Sequence, residues 1–126
     1  MVFEARVCQD CGTTINHLYH NATRCKPCAK DRKRHTNKIN AKKTKCKGYG
    51  ISAEEYDAMY ELQGGCCAIC GRHQSKMRRS LHIDHNHATG HVRGLLCGNC
   101  NPGLGNFKDD IDLLRKAIEY LEKRDG

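Results

Sequence analysis

The 126-residue sequence has no tryptophan, two prolines and two phenylalanines. Leu, Ile, Val and Phe together make up about 17% of the chain, too little for a domain of this size to be held by burial alone. No apolar run approaches the ~18 residues needed to span a bilayer, and the opening stretch MVFEARVCQD lacks the apolar segment of a secretory signal. These shortages exclude a membrane-embedded class. They set the expectation of a soluble, non-exported chain that works in the cytoplasm without contacting a membrane.

Cysteine, by contrast, is plentiful. Eight of the ten cysteines fall in CxxC pairs: Cys8/Cys11, Cys25/Cys28, Cys67/Cys70 and Cys97/Cys100. In a reducing compartment such pairs bind metal more readily than they form disulfides. Zinc takes four tetrahedral ligands, and two CxxC turns supply them, so the pairs predict two structural Zn2+ sites. A disulfide framework is the alternative. His17 and His20 lie in the loop between the first two pairs as further candidate ligands, although four thiolates suffice. Cys46 and Cys66 stand outside the pairing.

The net charge of +8 is concentrated in one stretch. Between Arg24 and Lys47 there are eleven cations and one acid, Asp31, while the remainder of the chain is slightly acidic. A basic stripe of this kind is the footprint of polyanion binding, because neutralised phosphates release condensed counterions. The plainer alternative is a solvated helix face.

The order of elements follows from punctuation and periodicity. The thirteen residues between the first two CxxC pairs suit a small zinc ribbon or treble-clef knuckle. The basic segment, free of Pro and Gly from Ala29 to Lys47, predicts an exposed helix broken by Gly48 and Gly50. Ser52 and Glu55 form a capping box ahead of a helix with Tyr56, Met59 and Tyr60 on one face, stopped by Gly64 and Gly65. LHIDH and HVRGLLC read as two strands of a hairpin turning through HATG. CNPGLGNF begins helically, weakened by Gly103 and Gly105. Asp109 or Asp110 caps a last helix whose Ile111, Leu114, Ile118 and Leu121 form an apolar stripe, set to pack on the zinc module or on a partner chain.

The densest chemistry lies between residues 81 and 101, with His82, Asp84, His85, His87 and His91 followed by Asn101. The histidines are candidates for a third zinc. The sharper alternative is a one-metal phosphodiesterase, which needs a carboxylate and an amide oxygen for a hard cation and an imidazole, titrating near ~6.5, to deprotonate water.

The run from Tyr49 to Leu121 resembles the recombination endonuclease VII family of phage HNH nucleases. The resemblance is carried by the dipeptide Asp84–His85, the block TGHVRGLLCGNCN from Thr89 to Asn101, and the flanking CAIC from Cys67 to Cys70. It implies a small zinc-stabilised α+β chain built on a ββα-metal (HNH, treble-clef-like) nuclease module with flanking helices and an N-terminal zinc knuckle. It also implies structural zinc on Cys67, Cys70, Cys97 and Cys100, and a catalytic Mg2+ or Mn2+ held by Asp84 and Asn101. His85 is then the general base, and His87 contacts the scissile phosphate or the leaving group. The implied partner is DNA, with a homodimer possible.

The expected division is a four-cysteine zinc knuckle over residues 1–30, on Cys8, Cys11, Cys25 and Cys28, a basic helical linker over 31–50 and a nuclease domain over 51–126. Arg93 is a candidate phosphate clamp through its planar fork. Lys108, the Arg72–Arg79 loop and Lys38, Lys42, Lys43 and Lys45 are candidates for positioning the DNA backbone. The rival reading is a zinc-dependent DNA-binding module that does not cut. Branched, nicked and site-specific substrates are not separated by these motifs.

Overall fold

The computed structural model describes residues 6–15 and 22–125; His17 and His20 lie outside them. The chain divides into two compact units, Met1–Thr44 and Lys45–Gly126.

In the first unit, strands β1 (Arg6–Val7) and β2 (Thr14–Ile15) pair antiparallel, with Val7 opposite Thr14. The CQDCG turn between them is closed by Cys8 N–H donating to the Thr13 carbonyl at 2.8 Å and Gly12 N–H to the Cys8 carbonyl at 2.9 Å. Gly12 sits at φ +72°, a left-handed conformation that glycine adopts without steric cost. Helix α1 (Lys26–Gly48) begins inside the second CxxC, three residues before the Pro- and Gly-free stretch from Ala29, with Pro27 in the first turn where a missing N–H is harmless. Along this helix only Cys46 is buried. Lys38, Lys43 and Lys45 are exposed and Lys42 is half-buried, as expected of a segment with no apolar stripe.

The second unit holds the larger core. Helix α2 (Ala53–Leu62) carries the expected capping box: Glu55 N–H donates to Ser52 Oγ at 3.0 Å and Ser52 N–H to the Glu55 carboxylate at 2.6 Å. Strands β3 (His82–His85) and β4 (Val92–Leu96) form the expected hairpin. Its buried face, with Leu81, Ile83, Leu95 and Leu96, packs with Tyr56 and Cys46. The Tyr56 hydroxyl donates to the Leu81 carbonyl at 2.8 Å. Gln63 acts as a clip at the end of α2. Its amide nitrogen donates to the Cys66 and Leu95 carbonyls at 2.8 and 2.9 Å, and its amide oxygen accepts from Leu95 N–H at 2.9 Å. One side chain thereby satisfies both backbone groups of Leu95, as a neighbouring strand would.

Helix α3 (Cys100–Asn106) follows the hairpin despite its glycines. Helix α4 (Ile111–Asp125) is capped by Asp110, whose carboxylate accepts from the N–H groups of Asp112 and Leu113 at 2.8 and 3.1 Å. Its apolar stripe is not packed on the zinc module, since Ile111, Ile118 and Leu121 each remain more than half exposed. Among the described residues no helix is long and apolar enough to cross a membrane.

Candidate active site and metal centres

The eight paired cysteines gather into two sets, Cys8/Cys11/Cys25/Cys28 and Cys67/Cys70/Cys97/Cys100, with the sulfurs of each set within 4.8 Å of one another. Cys11 and Cys25 Sγ lie 3.7 Å apart, as do Cys70 and Cys97 Sγ. This is far beyond the ~2.05 Å of a disulfide and close to the edge, about 3.8 Å, of a tetrahedron with Zn–S bonds of ~2.3 Å. Both sets therefore fit structural zinc, and the disulfide alternative falls. The protons are shared unevenly within each set. Backbone hydrogen bonding, led by Cys25, holds the Cys8 thiol down at about 6, while the neighbouring thiols, Cys25 foremost, push Cys28 well up. In the second set burial opposes ionisation of Cys67, but backbone N–H groups of Cys97, Cys70 and Ile69 outweigh it and bring the thiol to about 6. Burial and the Cys97 thiol push Cys100 up to about 12. Each set thus offers ready thiolates at one edge, and its remaining protons are those a bound dication displaces. Among the described residues the histidines form no third such cluster.

The second centre anchors the hairpin from both ends. The CAICG turn precedes β3, with Cys67 N–H on the Arg72 carbonyl at 2.9 Å and Gly71 N–H on the Cys67 carbonyl at 3.0 Å. The other pair lies where β4 enters α3. There Cys97 Sγ accepts from Cys100 N–H at 3.3 Å, so the thiolate does the capping that the Asn99 side chain does not.

The hairpin turn is set by Asn86, whose side-chain oxygen accepts from Ala88 and Thr89 N–H at 2.8 and 3.1 Å. The register pairs Asp84 with Gly94 and His85 with Val92, so Arg93 is an extra residue in a bulge. A bulge re-aims a side chain, and here Arg93 comes beside the carboxylate two places before its loop. Its Nε donates to one oxygen of Asp84 at 2.7 Å and its Nη2 to the other at 2.9 Å. Asp84 is only 7% exposed. A buried carboxylate is sustained by such a charge-assisted fork, and hydrogen bonding to Asp84 is the chief cause that raises the Arg93 pKa further.

Arg93 Nη2 also reaches the Asp109 carboxylate at 3.2 Å, and His87 Nε2 lies 3.8 Å from the same carboxylate. The His85 ring centroid lies 4.6 Å from that of His87 and 5.1 Å from that of Tyr49, both tilted. His87, Arg93, Lys108 and Asp109 border an open cavity of about 490 Å³. Asn101, in the first turn of α3, lines a different cavity. Lys38, Lys42 and Lys43 belong to the other compact unit, whereas Lys45 belongs to this one. Three participants escape a reading of the sequence. Asp109 looks like a helix cap, yet Asp110 caps α4 while Lys108 and Asp109 turn through left-handed backbone at φ +56° and +53°. Gln63 and Tyr49 carry no motif. Only the bulge, invisible in a strand pattern, reveals that the Arg93 fork is held by carboxylates.

Residues 41–123, more than half of the chain, match the model of the recombination endonuclease VII family. The Gene 59 protein of Mycobacterium phage D29 is 57% identical over 76 residues, 60% of this chain and 46% of that protein. Its counterpart in Mycobacterium phage L5 is 53% identical over 74 residues, 58% of this chain and 44% of that protein. The chain thus matches less than half the length of these relatives. Among solved structures, the ββα-Me type II restriction endonuclease Hpy99I is 29% identical, with a TM-score of 0.44 over 96% of this chain and 66% of that one.

Proposed function

The chain belongs to the recombination endonuclease VII family, and from that premise we propose that it is a metal-dependent DNA endonuclease of the HNH type, hydrolysing phosphodiester bonds with His85 as general base. The observation that carries this reading is the β3 pairing of a buried carboxylate, Asp84, with an adjacent half-buried imidazole, His85, on a hairpin held at both ends by a four-cysteine centre.

Asp84 and Asn101 would hold the catalytic Mg2+ or Mn2+. A carboxylate has about four acceptor positions, of which Arg93 takes two, and a carboxylate with an amide oxygen suits a hard cation that keeps most of its waters. When bound, the ion supplies positive charge to the phosphate and to the departing oxygen. His85 accepts the proton of the attacking water as the new P–O bond forms, the bond to the 3′ oxygen breaks in line, that oxygen takes a proton from solvent, and the products are a 5′ phosphate and a 3′ hydroxyl. Ring contacts with Tyr49 and His87 hold the ring of His85 for that proton transfer. His87, at 72% side-chain exposure, is free to meet the phosphate or the leaving group. Arg93 bridges Asp84 and Asp109 and so holds the metal-binding carboxylate in place, a different task from the phosphate clamp that its sequence context suggests.

The basic face of α1, with Lys38, Lys42, Lys43 and Lys45, would add sequence-independent attraction to DNA. The exposed stripe of α4 supports a homodimer, which sedimentation tests. The function itself is tested by incubating the protein with labelled linear, nicked, forked and four-way DNAs in Mg2+ or EDTA. Mg2+-dependent cutting of any of them is the expected result, and binding without cutting would leave the non-catalytic DNA-binding module instead.

A further inference from the structure

The cavity lined by Asn101, of about 560 Å³, is walled by Arg72, Lys76, Arg78 and Arg79 from the segment after the Cys67/Cys70 knuckle, and by Asn99 at the start of α3. No carboxylate lines it. Arg72 Nη2 donates to the Lys76 carbonyl at 2.9 Å, folding the segment around the single 3-10 turn Gln74–Lys76 and holding its cations on one short loop. None of the four cations takes part in an ion pair among the described residues. His82 stands on the same wall. Four like charges gathered without a counter-charge raise the local positive potential and concentrate anions. A single phosphate does not neutralise four cations, whereas successive phosphates of a strand do. The asparagine amides add the uncharged hydrogen bonds that accompany such contacts.

We propose that this cavity is a groove for the sugar-phosphate backbone of DNA, taking phosphates that flank the one cleaved. The inference rests on the DNA-cleaving reading above and deepens it. Asn101 lines this groove, so a strand seated among Arg72, Lys76, Arg78 and Arg79 passes a residue assigned above to the catalytic metal.

The test measures binding, in EDTA, of a labelled duplex by fluorescence anisotropy from ~50 to ~200 mM KCl, for the full chain and for Arg78→Ala/Arg79→Ala. Both arginines are exposed, and zinc content and circular dichroism verify the fold. Each lost phosphate contact flattens the slope of log K against log salt by about 0.9, so the double variant is expected to flatten it by about 1.8. Lys116→Ala/Lys123→Ala, which removes equal charge from α4, is expected to leave the slope unchanged. An unaltered slope in the arginine variant, or an equal flattening in the α4 control, overturns the groove. Replacing chloride by inorganic phosphate at equal ionic strength is expected to change nothing; a specific loss of binding would mark a site for a single anion and would also overturn it. Cleavage does not enter these readings. Absent cutting with a flattened slope sinks the nuclease and spares the groove, and normal cutting with an unaltered slope does the reverse.

Discussion

The two cysteine centres are assembled from the same parts. In each, the residue before the first cysteine pairs antiparallel with the third residue beyond the second, Val7 with Thr14 and Cys66 with His73. In each, a glycine follows the CxxC in left-handed backbone, Gly12 at φ +72° and Gly71 at +71°. In each, the second CxxC runs into a helix, α1 or α3. What differs is the chain enclosed between the pairs. Thirteen residues separate the two pairs of the first unit, while residues 71–96 of the second hold the hairpin, with Asp84, His85, His87 and Arg93. The same knuckle thus serves as an anchor for enclosed segments of different length, and the longer one carries the residues assigned to catalysis under the proposed function. The difference extends to the core. Leu81, Ile83, Leu95 and Leu96 are buried in the second unit, and among the described residues of the first only Cys8 is buried.

Removing a metal ligand should strain this comparison most. Structural zinc contributes about 10–16 kcal/mol in small zinc peptides, so Cys97→Ser/Cys100→Ser should unfold Lys45–Gly126 and reduce bound zinc from two equivalents to one. Cys25→Ser/Cys28→Ser should lose the other equivalent while the second unit keeps its amide protection in hydrogen exchange. If either variant melted both units, the centres would not be independent scaffolds.

Within the second unit the enclosed core gives a smaller effect. Leu95 is fully buried on β4, and Leu95→Ala should cost about 2–5 kcal/mol by the usual cavity penalty, measured by urea denaturation with zinc retained. Ser52→Ala removes the capping-box oxygen of α2 and should cost about 0.5–2 kcal/mol in the same assay. A loss as large as that of Leu95→Ala would place α2, not the hairpin, at the centre of stability.

The smallest effect is one of pH. Burial, aided by Lys45 and Arg79, holds the His82 imidazole below its unfolded value, so the unfolded chain binds the proton more readily. Stability from this source is highest above the unfolded pKa of ~6.5 and falls as pH drops below it toward the folded value. His82→Gln should flatten that part of the pH profile in thermal melts, and an unchanged profile would remove His82 as its origin.

Much of this architecture was legible in the residues because it rests on short-range chemistry. The CxxC spacing, the Ser52/Glu55 box and the alternation around Ile83 and Leu95 each act within a few positions, and each stands where the sequence puts it. What was hidden depends on distant neighbours. The bulge at Arg93 arises from how two strands align, the Gln63 clip spans thirty-two residues to Leu95, and Asp109 meets Arg93 through a turn after α3 whose residues Lys108 and Asp109 are left-handed. Amphipathic spacing along α4 likewise tells that a stripe exists, not what covers it.

The central claim, that the hairpin held by the second centre is where DNA is cut, is tested most directly by the Mg2+-dependent cleavage rate of His85→Ala beside the wild-type chain, both at two zinc equivalents. Loss of the general base should slow cutting by about 10²–10⁴-fold with DNA binding unchanged. Cutting at the wild-type rate by the variant would contradict it.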